Sequence, residues 1–297
     1  MSSPEPPASR PGADPAEEAA GAPRPRGVVG EVPLEGGDAK LLRDYDILRV
    51  RAANPGPLTL SGTNSWLVGR SPTWLIDPGP ALPAHLARLE RAIDARGGLA
   101  GIALTHDHRD HSEAVSALRE RHAVPLAAAR GPAEVPLAEG VRFGPLEAVP
   151  TPGHARDHFA FVGSGACFTG DAVLGEGSVF ISPYRGAMAG YLIALTRLRL
   201  REDFNVLCPG HGPPVWDVQA KLEQYINHRI DREHHLLAAL GEGKRSVRAL
   251  LDAVWWDVPE QLRPMAAVTL AAHLDKLEDE QTLPDGVERP QLDRRDW

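Results

Sequence analysis

The segment Thr105-His106-Asp107-His108-Arg109-Asp110-His111 carries the strongest signal in this 297-residue chain. It holds three histidines and two aspartates, and ordinary surface loops rarely concentrate these residue types so closely. His106 and His108 are two residues apart, so they would not share a helix face and are suited to a loop. Imidazole and carboxylate groups are ligands that zinc, iron and manganese accept. The segment therefore predicts a metal-binding loop.

The residues on either side place this loop between a strand and a helix. The apolar run from Leu99 to Thr105 predicts a buried strand, and Ser112 to Arg121 follows as a predicted helix. Asp110 and His111 then lie near the start of that helix. Their side chains point in different directions, so they could serve two metals.

Three later motifs each place one candidate ligand on a glycine-containing turn after an apolar strand. They are Thr151-Pro152-Gly153-His154, Thr169-Gly170-Asp171 and Pro209-Gly210-His211-Gly212. A lone His or Asp in such a turn is more often an ordinary turn residue. Their order and spacing after the first cluster make a shared site the better interpretation.

Short strands and helices alternate through the middle of the chain. Further strands are predicted over Ile47–Val50, Ser65–Val68, Thr73–Ile76, Pro125–Ala128, Glu147–Pro150, Phe159–Val162, Ala166–Thr169 and Asn205–Cys208, and helices over Leu82–Ala95, Ala187–Leu200 and Asp217–Leu240. This order favours an α/β sandwich in which helices cover two sheets from outside.

Composition divides the chain into three parts. Residues 1–40 are rich in Pro, Ala and Gly and nearly lack large apolar side chains, so they predict a disordered tail. After the predicted catalytic domain over residues 41–240, Ser246 caps one helix and Met265–Glu280 forms another. Thr282–Val287 then has the proline and glycine of a hairpin. Residues 241–297 are therefore predicted to form a winged-helix-like C-terminal domain.

Charge and cysteine content limit the expected partners. The net charge is -8, and Asp217 to Trp297 holds 11 Lys+Arg against 16 Asp+Glu, so a DNA backbone would be repelled. The cysteines are only Cys167 and Cys208, and no apolar run is long enough to span a membrane. We expect a cytoplasmic protein with a small-molecule substrate that binds neither DNA nor a membrane.

The motif series His-x-His-x-Asp-His, Gly-His, Gly-Asp and Gly-His resembles that of the metallo-β-lactamase superfamily, over residues 45 to 240. The resemblance implies an αββα sandwich that holds two zinc ions, with iron or manganese as alternative metals. It assigns His106, His108 and His154 to the first metal, Asp110, His111 and His211 to the second, and Asp171 to both as a bridge.

The chemistry implied by this resemblance is hydrolysis. Two divalent ions about 3.5–4 Å apart lower the pKa of a shared water to about 7, so hydroxide is available at neutral pH. Asp110 would orient that hydroxide as well as bind metal. His158, four residues after His154, is a candidate proton donor. A structural histidine tied to the backbone is an equally good interpretation of His158.

A narrower resemblance lies outside the ligands. Gly62–Leu67 and Ile76–Gly79 resemble the opening of glyoxalase II-like hydrolases. Leu174–Gly177 and Tyr225–Glu233, with the C-terminal unit, resemble the β-lactamase-like-protein-2 branch. Animal members of that branch are described as endoribonucleases acting on single-stranded RNA, and related domains release thioester-bound polyketides.

The chain departs from this branch at two positions. Asp107 stands where the branch usually has Trp, and Ala194 stands where a Ser is common. Asp107 adds negative charge beside the expected metals, which disfavours an anionic phosphate substrate. RNA is therefore a weaker expectation than a small molecule.

Four functions are compatible with these residues. The first is a di-zinc hydrolase that cleaves an ester-type bond, a thioester or another small acyl substrate. The alternatives are a single-strand endoribonuclease with the same site, a non-catalytic metal-binding or sensing protein, and an iron-dependent persulfide dioxygenase. Tyr184, Arg229 and Arg232 are candidate substrate-binding residues. The two arginines could bind a carboxylate or phosphate, or hold the C-terminal unit to the core.

Overall fold

Two facing β-sheets form the centre of the computed structural model, which describes Leu42 and residues 45–292. The first sheet has the order β1-β2-β3-β4-β5-β6 and the second β11-β10-β9-β8-β7. The strands are β1 (Ile47–Arg51), β2 (Asn64–Val68), β3 (Thr73–Ile76), β4 (Leu99–Ala103), β5 (Leu126–Ala128), β6 (Val135–Pro136), β7 (Arg142–Phe143), β8 (Leu146–Pro150), β9 (Phe159–Gly163), β10 (Ala166–Gly170) and β11 (Val206–Pro209).

Helices cover both outer faces of this pair of sheets. They are α1 (Pro83–Ala95), α2 (Arg109–Ser112), α3 (Val115–His122), α4 (Ala187–Arg199), α5 (Val218–Gly241), α6 (Val247–Val254) and α7 (Arg263–Asp279), with a 3₁₀ turn at Glu260–Leu262. The αββα sandwich expected from the alternating pattern is confirmed.

Three apolar layers hold the sandwich together. The inner layer lies between the sheets and includes Trp66 and Phe168, whose rings meet edge to face at 6.0 Å. A second layer packs α1 and α3 on the first sheet, and a third packs α4 and α5 on the second. Each sheet is therefore covered on both faces, which explains why β2 and β10 are buried along their whole length.

The site loops leave the carboxyl ends of two parallel strand pairs. β3 runs parallel to β4 in one sheet, and β10 runs parallel to β11 in the other. Gly170 ends β10 with a φ of 47°, and a Cβ there would lie 2.6 Å from Thr105 Oγ1. A glycine is required because the two sheets approach closely where their loops meet.

The C-terminal unit is built from α6, the 3₁₀ turn and α7 packed against α5. Its core includes Leu240, Leu250 and Leu274. Ser246 caps α6 by accepting a hydrogen bond from the Ala249 amide at 3.3 Å, as the sequence predicted. This unit also contacts α4, so the domains share a buried boundary. The predicted boundaries at residues 40 and 240 stay predictions.

The predicted hairpin over Thr282–Val287 is wrong. Among the described residues no strand follows β11, and this segment is an irregular tail after α7. Its Thr282 amide donates to the Leu277 carbonyl, and Leu283 and Val287 pack on the helical core. The Thr282 and Leu283 amides are therefore satisfied by the preceding helix rather than by a partner strand.

Other differences are small. The predicted helix Ser112–Arg121 corresponds to α3, which begins at Val115, and the short helix α2 precedes it. The sequence did not indicate the short strands β6 and β7. The predicted disordered tail over residues 1–40 lies outside the described residues. None of the helices in the described part of the chain is long and apolar enough to cross a membrane.

Candidate metal centre

Seven side chains from four chain segments meet at the carboxyl edge of the two sheets. They are the residues that the sequence motifs singled out: His106, His108, Asp110, His111, His154, Asp171 and His211. They form three overlapping groups of possible metal ligands, and within each group the ligand atoms lie within 4.8 Å of one another. The structure therefore brings together every candidate ligand that the sequence predicted.

The first group is formed by three histidines. His108 Nδ1 lies 2.9 Å from His106 Nε2 and 3.0 Å from His154 Nε2. These three nitrogens face one another, and His106 and His154 are almost fully buried. Burial lowers the pKa of His154 to about 3, so its imidazole is neutral at pH 7, which is the form that binds metals.

The second group is formed by Asp110, His111 and His211. Asp110 Oδ2 lies 3.4 Å from His111 Nε2 and 3.2 Å from His211 Nε2, and the two imidazole nitrogens are 3.3 Å apart. A tetrahedral zinc ion with bonds of about 2.0–2.1 Å separates its ligand atoms by about 3.3 Å. The spacing of these three atoms therefore fits a zinc ion.

Asp171 lies between the two groups. Its Oδ2 is 3.6 Å from His154 Nε2 and 3.4 Å from His211 Nε2, and its Oδ1 is 3.5 Å from His111 Nε2. Oδ1 is buried and has no hydrogen-bond partner. A buried carboxylate oxygen without a partner is costly unless a cation approaches it. Asp171 therefore fits a position that is shared by two metals.

Carboxylates control the charge state of the second group. Burial would raise the pKa of Asp110, but His111 and the hydrogen bond from His211 lower it to about 2. Burial would lower the pKa of His211, but Asp171 and Asp110 outweigh burial and raise it to about 9. The carboxylates of Asp110 and Asp171 therefore favour positive charge at this position, carried by a protonated imidazole or by a metal ion.

Asp77 orients two of the histidines and was not among the predicted site residues. Its Oδ2 accepts hydrogen bonds from Thr105 Oγ1 at 2.7 Å and from His111 Nδ1 at 2.9 Å, and its Oδ1 accepts from the Thr105 amide at 2.8 Å. Thr105 Oγ1 in turn accepts from His106 Nδ1 at 3.0 Å. Each of these histidines thus has its Nδ1 engaged in a hydrogen bond and its Nε2 directed to the metal groups.

His158 uses both of its ring nitrogens within the protein. Its Nδ1 donates to Thr151 Oγ1 at 2.7 Å, and its Nε2 accepts from the Asp171 amide at 3.0 Å. Burial lowers its pKa well below the usual range. This geometry favours the structural interpretation of His158 over the proton-donor one, because no ring nitrogen is left for a substrate. We interpret His158 as a positioning residue for Asp171.

We therefore expect His158→Ala to lower metal affinity and kcat/KM by about tenfold, the usual effect of losing a group that orients a metal ligand. His158→Gln should restore most of this loss, because its amide oxygen can accept from the Asp171 amide in place of Nε2. Metal titration and pH–rate profiles measure both effects, and the profile should keep its shape. If both variants instead lost kcat/KM equally and one limb of the pH–rate profile disappeared, His158 would be a proton donor.

A large cavity adjoins the metal groups. It measures about 900 Å³ and extends from Asp110, His154 and Asp171 to the C-terminal unit. Its walls include the apolar residues Leu58, Leu60, Val179, Phe180, Leu262 and Met265. We call this cavity the chamber. Its volume and apolar walls are typical of a small-molecule site.

The three predicted substrate residues occupy different positions. Arg229 and Arg232 line the chamber, and Tyr184 is not among its lining residues. Tyr184 instead stacks beside Arg156, whose guanidinium carbon is 4.7 Å from the ring centre. Arg232 donates to both carboxylate oxygens of Asp257 at 2.7 Å. Arg232 thus holds the C-terminal unit to α5, which was the alternative interpretation of the arginine pair.

Asp107 is an exposed residue of the Thr105–His111 segment. Its carboxylate lies 3.7 Å from Arg130, and its side chain is 54% exposed. Its amide donates to Asp157 Oδ2 at 3.1 Å. Asp107 therefore contributes negative charge at the rim of the site, where Arg130 offsets part of it.

Comparison with protein families shows two matches. Residues 73–201 match the family described as "Beta-lactamase superfamily domain". Residues 246–282 match the family described as "Beta-lactamase associated winged helix domain". The second match confirms the predicted winged-helix unit, although its described residues lack the predicted wing hairpin.

Curated relatives match most of the chain. The "Lactamase-like protein adaB" of Aspergillus niger is 30% identical, with 79% of this chain and 80% of that protein covered. The "Beta-lactamase-like protein 2 homolog" of Drosophila melanogaster is also 30% identical, with 79% of this chain and 88% of that protein covered.

The fold is similar to that of solved structures. The crystal structure of a "Beta-lactamase domain protein" from Burkholderia ambifaria superposes with a TM-score of 0.70. The superposition covers 81% of this chain and 89% of the Burkholderia ambifaria chain, at 22% sequence identity. ETHE1 from Myxococcus xanthus superposes with a TM-score of 0.52 at 21% identity. At these identities the two structures show the sandwich fold alone.

Proposed function

The chain belongs to the metallo-β-lactamase superfamily and is one of its hydrolases, and from this premise we propose that it binds two zinc ions and cleaves a thioester or a related ester bond. The observation that carries this proposal is the pair of ligand groups on either side of Asp171. Each group offers three ligand atoms, and the buried carboxylate between them has an oxygen without a protein partner.

The ligands divide between the two ions by their positions. His106, His108 and His154 would hold the first ion, Asp110, His111 and His211 the second, and Asp171 both. Such a pair of ions supplies an activated water at neutral pH and polarises the oxygen of the scissile bond. An all-nitrogen triad beside a mixed nitrogen and oxygen triad is a ligand set that zinc accepts, and iron or manganese are the alternatives.

The residues of the chain prepare the site for this reaction. Asp77 and Thr105 fix the orientation of the histidines, and His158 holds the Asp171 amide. Thr63 Oγ1 donates to Asp110 Oδ2 at 3.1 Å. Asp110 also lines the chamber, so its carboxylate can accept a hydrogen bond from the attacking water and orient it to the substrate.

The chamber supports an acyl substrate over RNA. Its walls beyond the metal groups are mainly apolar, and the basic side chain Arg232 is already paired with Asp257. Several phosphates of an RNA strand would need several free cationic partners. An acyl chain needs an apolar surface of this kind, and burial of that chain would contribute about 25 cal/mol per Å².

A substrate panel tests this proposal directly. We expect the zinc-loaded protein to hydrolyse acyl thioesters with a kcat/KM at least about 100-fold above that for a single-stranded RNA or a phosphodiester. A chelator should remove this activity, and added zinc should restore it. The opposite preference, with RNA cleaved and all thioesters left intact, would support the endoribonuclease alternative and overturn the proposal.

A further inference from the structure

Arg229 is a buried cation without an anionic partner in the described part of the chain. It is only 2% exposed, yet no ion pair joins its guanidinium to a carboxylate. Its Nη2 donates to the Val179 carbonyl at 2.5 Å, and its Nε is buried with no hydrogen-bond partner. A buried charge without a counter-charge is costly, so such residues are rare unless a ligand completes them.

Arg232 provides a contrast on the same helix. It lies three residues after Arg229, also lines the chamber, and is paired through two hydrogen bonds with Asp257. A third hydrogen bond joins it to the Val254 carbonyl. The charge of Arg232 is therefore neutralised by a carboxylate, whereas Arg229 has the Val179 carbonyl and the face of the Tyr191 ring, 5.7 Å from its guanidinium carbon, and no carboxylate among the described residues.

The position of Arg229 connects it with the metal groups. The chamber that Arg229 lines is continuous with Asp110, His154 and Asp171. The walls of the same chamber include Val179, Phe180 and Met265, which are apolar. A ligand that filled the chamber would therefore contact the metal-binding residues, the apolar walls and the guanidinium of Arg229.

We propose that Arg229 binds a carboxylate of the substrate, so that the natural substrate is an acyl thioester or ester with an apolar body and a second, anionic end. The ligand carboxylate supplies the counter-charge that the protein does not. This proposal rests on the proposed function, since it describes the substrate of the same site.

Matched substrate pairs test the proposal. Each pair consists of the N-acetylcysteamine thioester of a dicarboxylic acid and the methyl ester of its free end, prepared with short, medium and long acyl chains. The readout is the ratio of kcat/KM for the free acid to kcat/KM for the methyl ester. We expect the zinc-loaded protein to favour the acid at one chain length by about 10-fold to 100-fold, as a charged hydrogen bond would give.

Three variants assign that preference to a residue. Arg229→Met should reduce the acid-to-ester ratio to about one, and Arg229→Lys should keep part of it because the charge is retained. The double variant Arg232→Met/Asp257→Asn is the matched control, and its ratio should stay unchanged because it removes this cation together with its own counter-charge. Circular dichroism and thermal melting of each variant verify that it is folded.

The possible outcomes separate this inference from the proposed function. If no thioester is hydrolysed by the zinc-loaded protein, the proposed function fails. If thioesters are hydrolysed with equal kcat/KM for acid and ester at every chain length, the role of Arg229 fails alone. Equal losses for acid and ester in Arg229→Met would show that Arg229 only supports the chamber wall. A ratio that falls in Arg232→Met/Asp257→Asn and not in Arg229→Met would place the anion at Arg232.

Discussion

Asp171→Asn is expected to reduce kcat/KM for thioester hydrolysis by about 1,000-fold or more, which corresponds to about 4 kcal/mol of lost transition-state stabilisation. The substitution keeps the size of the side chain and removes its negative charge. Asp171 oxygens lie 3.4–3.6 Å from His154, His111 and His211, so one change affects both ligand groups. Steady-state kinetics at saturating zinc measure the effect.

A matched control for this substitution is Asp203→Asn. Asp203 is an exposed carboxylate that pairs with Arg201 on the surface. The substitution Asp203→Asn makes the same chemical change far from the metal groups, so the kcat/KM of this variant should stay within about twofold of that of the unmodified protein. An Asp171→Asn protein that folds and keeps full activity would contradict the bridging position assigned to Asp171.

Asp77→Ala is expected to have the second largest effect, on stability and on metal affinity together. The Asp77 carboxylate is fully buried and accepts three hydrogen bonds, two from Thr105 and one from His111. Its removal leaves buried donors without acceptors, so the free energy of unfolding should fall by about 3 kcal/mol. Zinc affinity should fall by about 10-fold to 100-fold, because two ligands lose their fixed orientation.

Chemical denaturation and competitive zinc titration measure these two effects separately. Asp252→Ala is the control, since Asp252 forms exposed ion pairs with Arg248 and Arg263 that contribute at most about 1 kcal/mol. A variant at Asp77 that lost stability but bound zinc normally would show that this carboxylate supports the fold without orienting the ligands.

The metal groups could be predicted from the sequence because their local pattern is dense. His106 to His111 places four ligands within six residues, and the other three follow apolar strands on glycine turns. The turns that follow these strands lie at one edge of the sandwich, so the ligands are expected to lie close together once the topology is known. The same reasoning located the strands to within one or two residues, since apolar runs and turn residues bound them.

The orienting residue and the free cation could not be predicted in this way. Asp77 lies in Asp77-Pro78-Gly79, a local turn pattern, and its partners Thr105 and His111 are distant in sequence. Arg229 and Arg232 are the same residue type on one helix, and only the tertiary position of Asp257 distinguishes them. Such partners depend on packing between elements, which a single sequence does not encode in any local pattern.

The predicted hairpin was wrong for a related reason. Pro284 and Gly286 indicate a change of direction, and turn residues alone do not show whether flanking residues pair as strands. The apolar side chains of this segment found a partner in the helical core instead. Two short strands, β6 and β7, were missed because two residues give no measurable periodicity.

The most direct test of the two-ion centre is the metal content of the native protein, measured by native mass spectrometry together with elemental analysis. We predict a mass increase equal to two zinc ions per chain, and at most one in Asp171→Asn, because the carboxylate between the ligand groups is lost. An unmodified protein that hydrolyses thioesters at its full rate with one ion, or with none, would contradict the account.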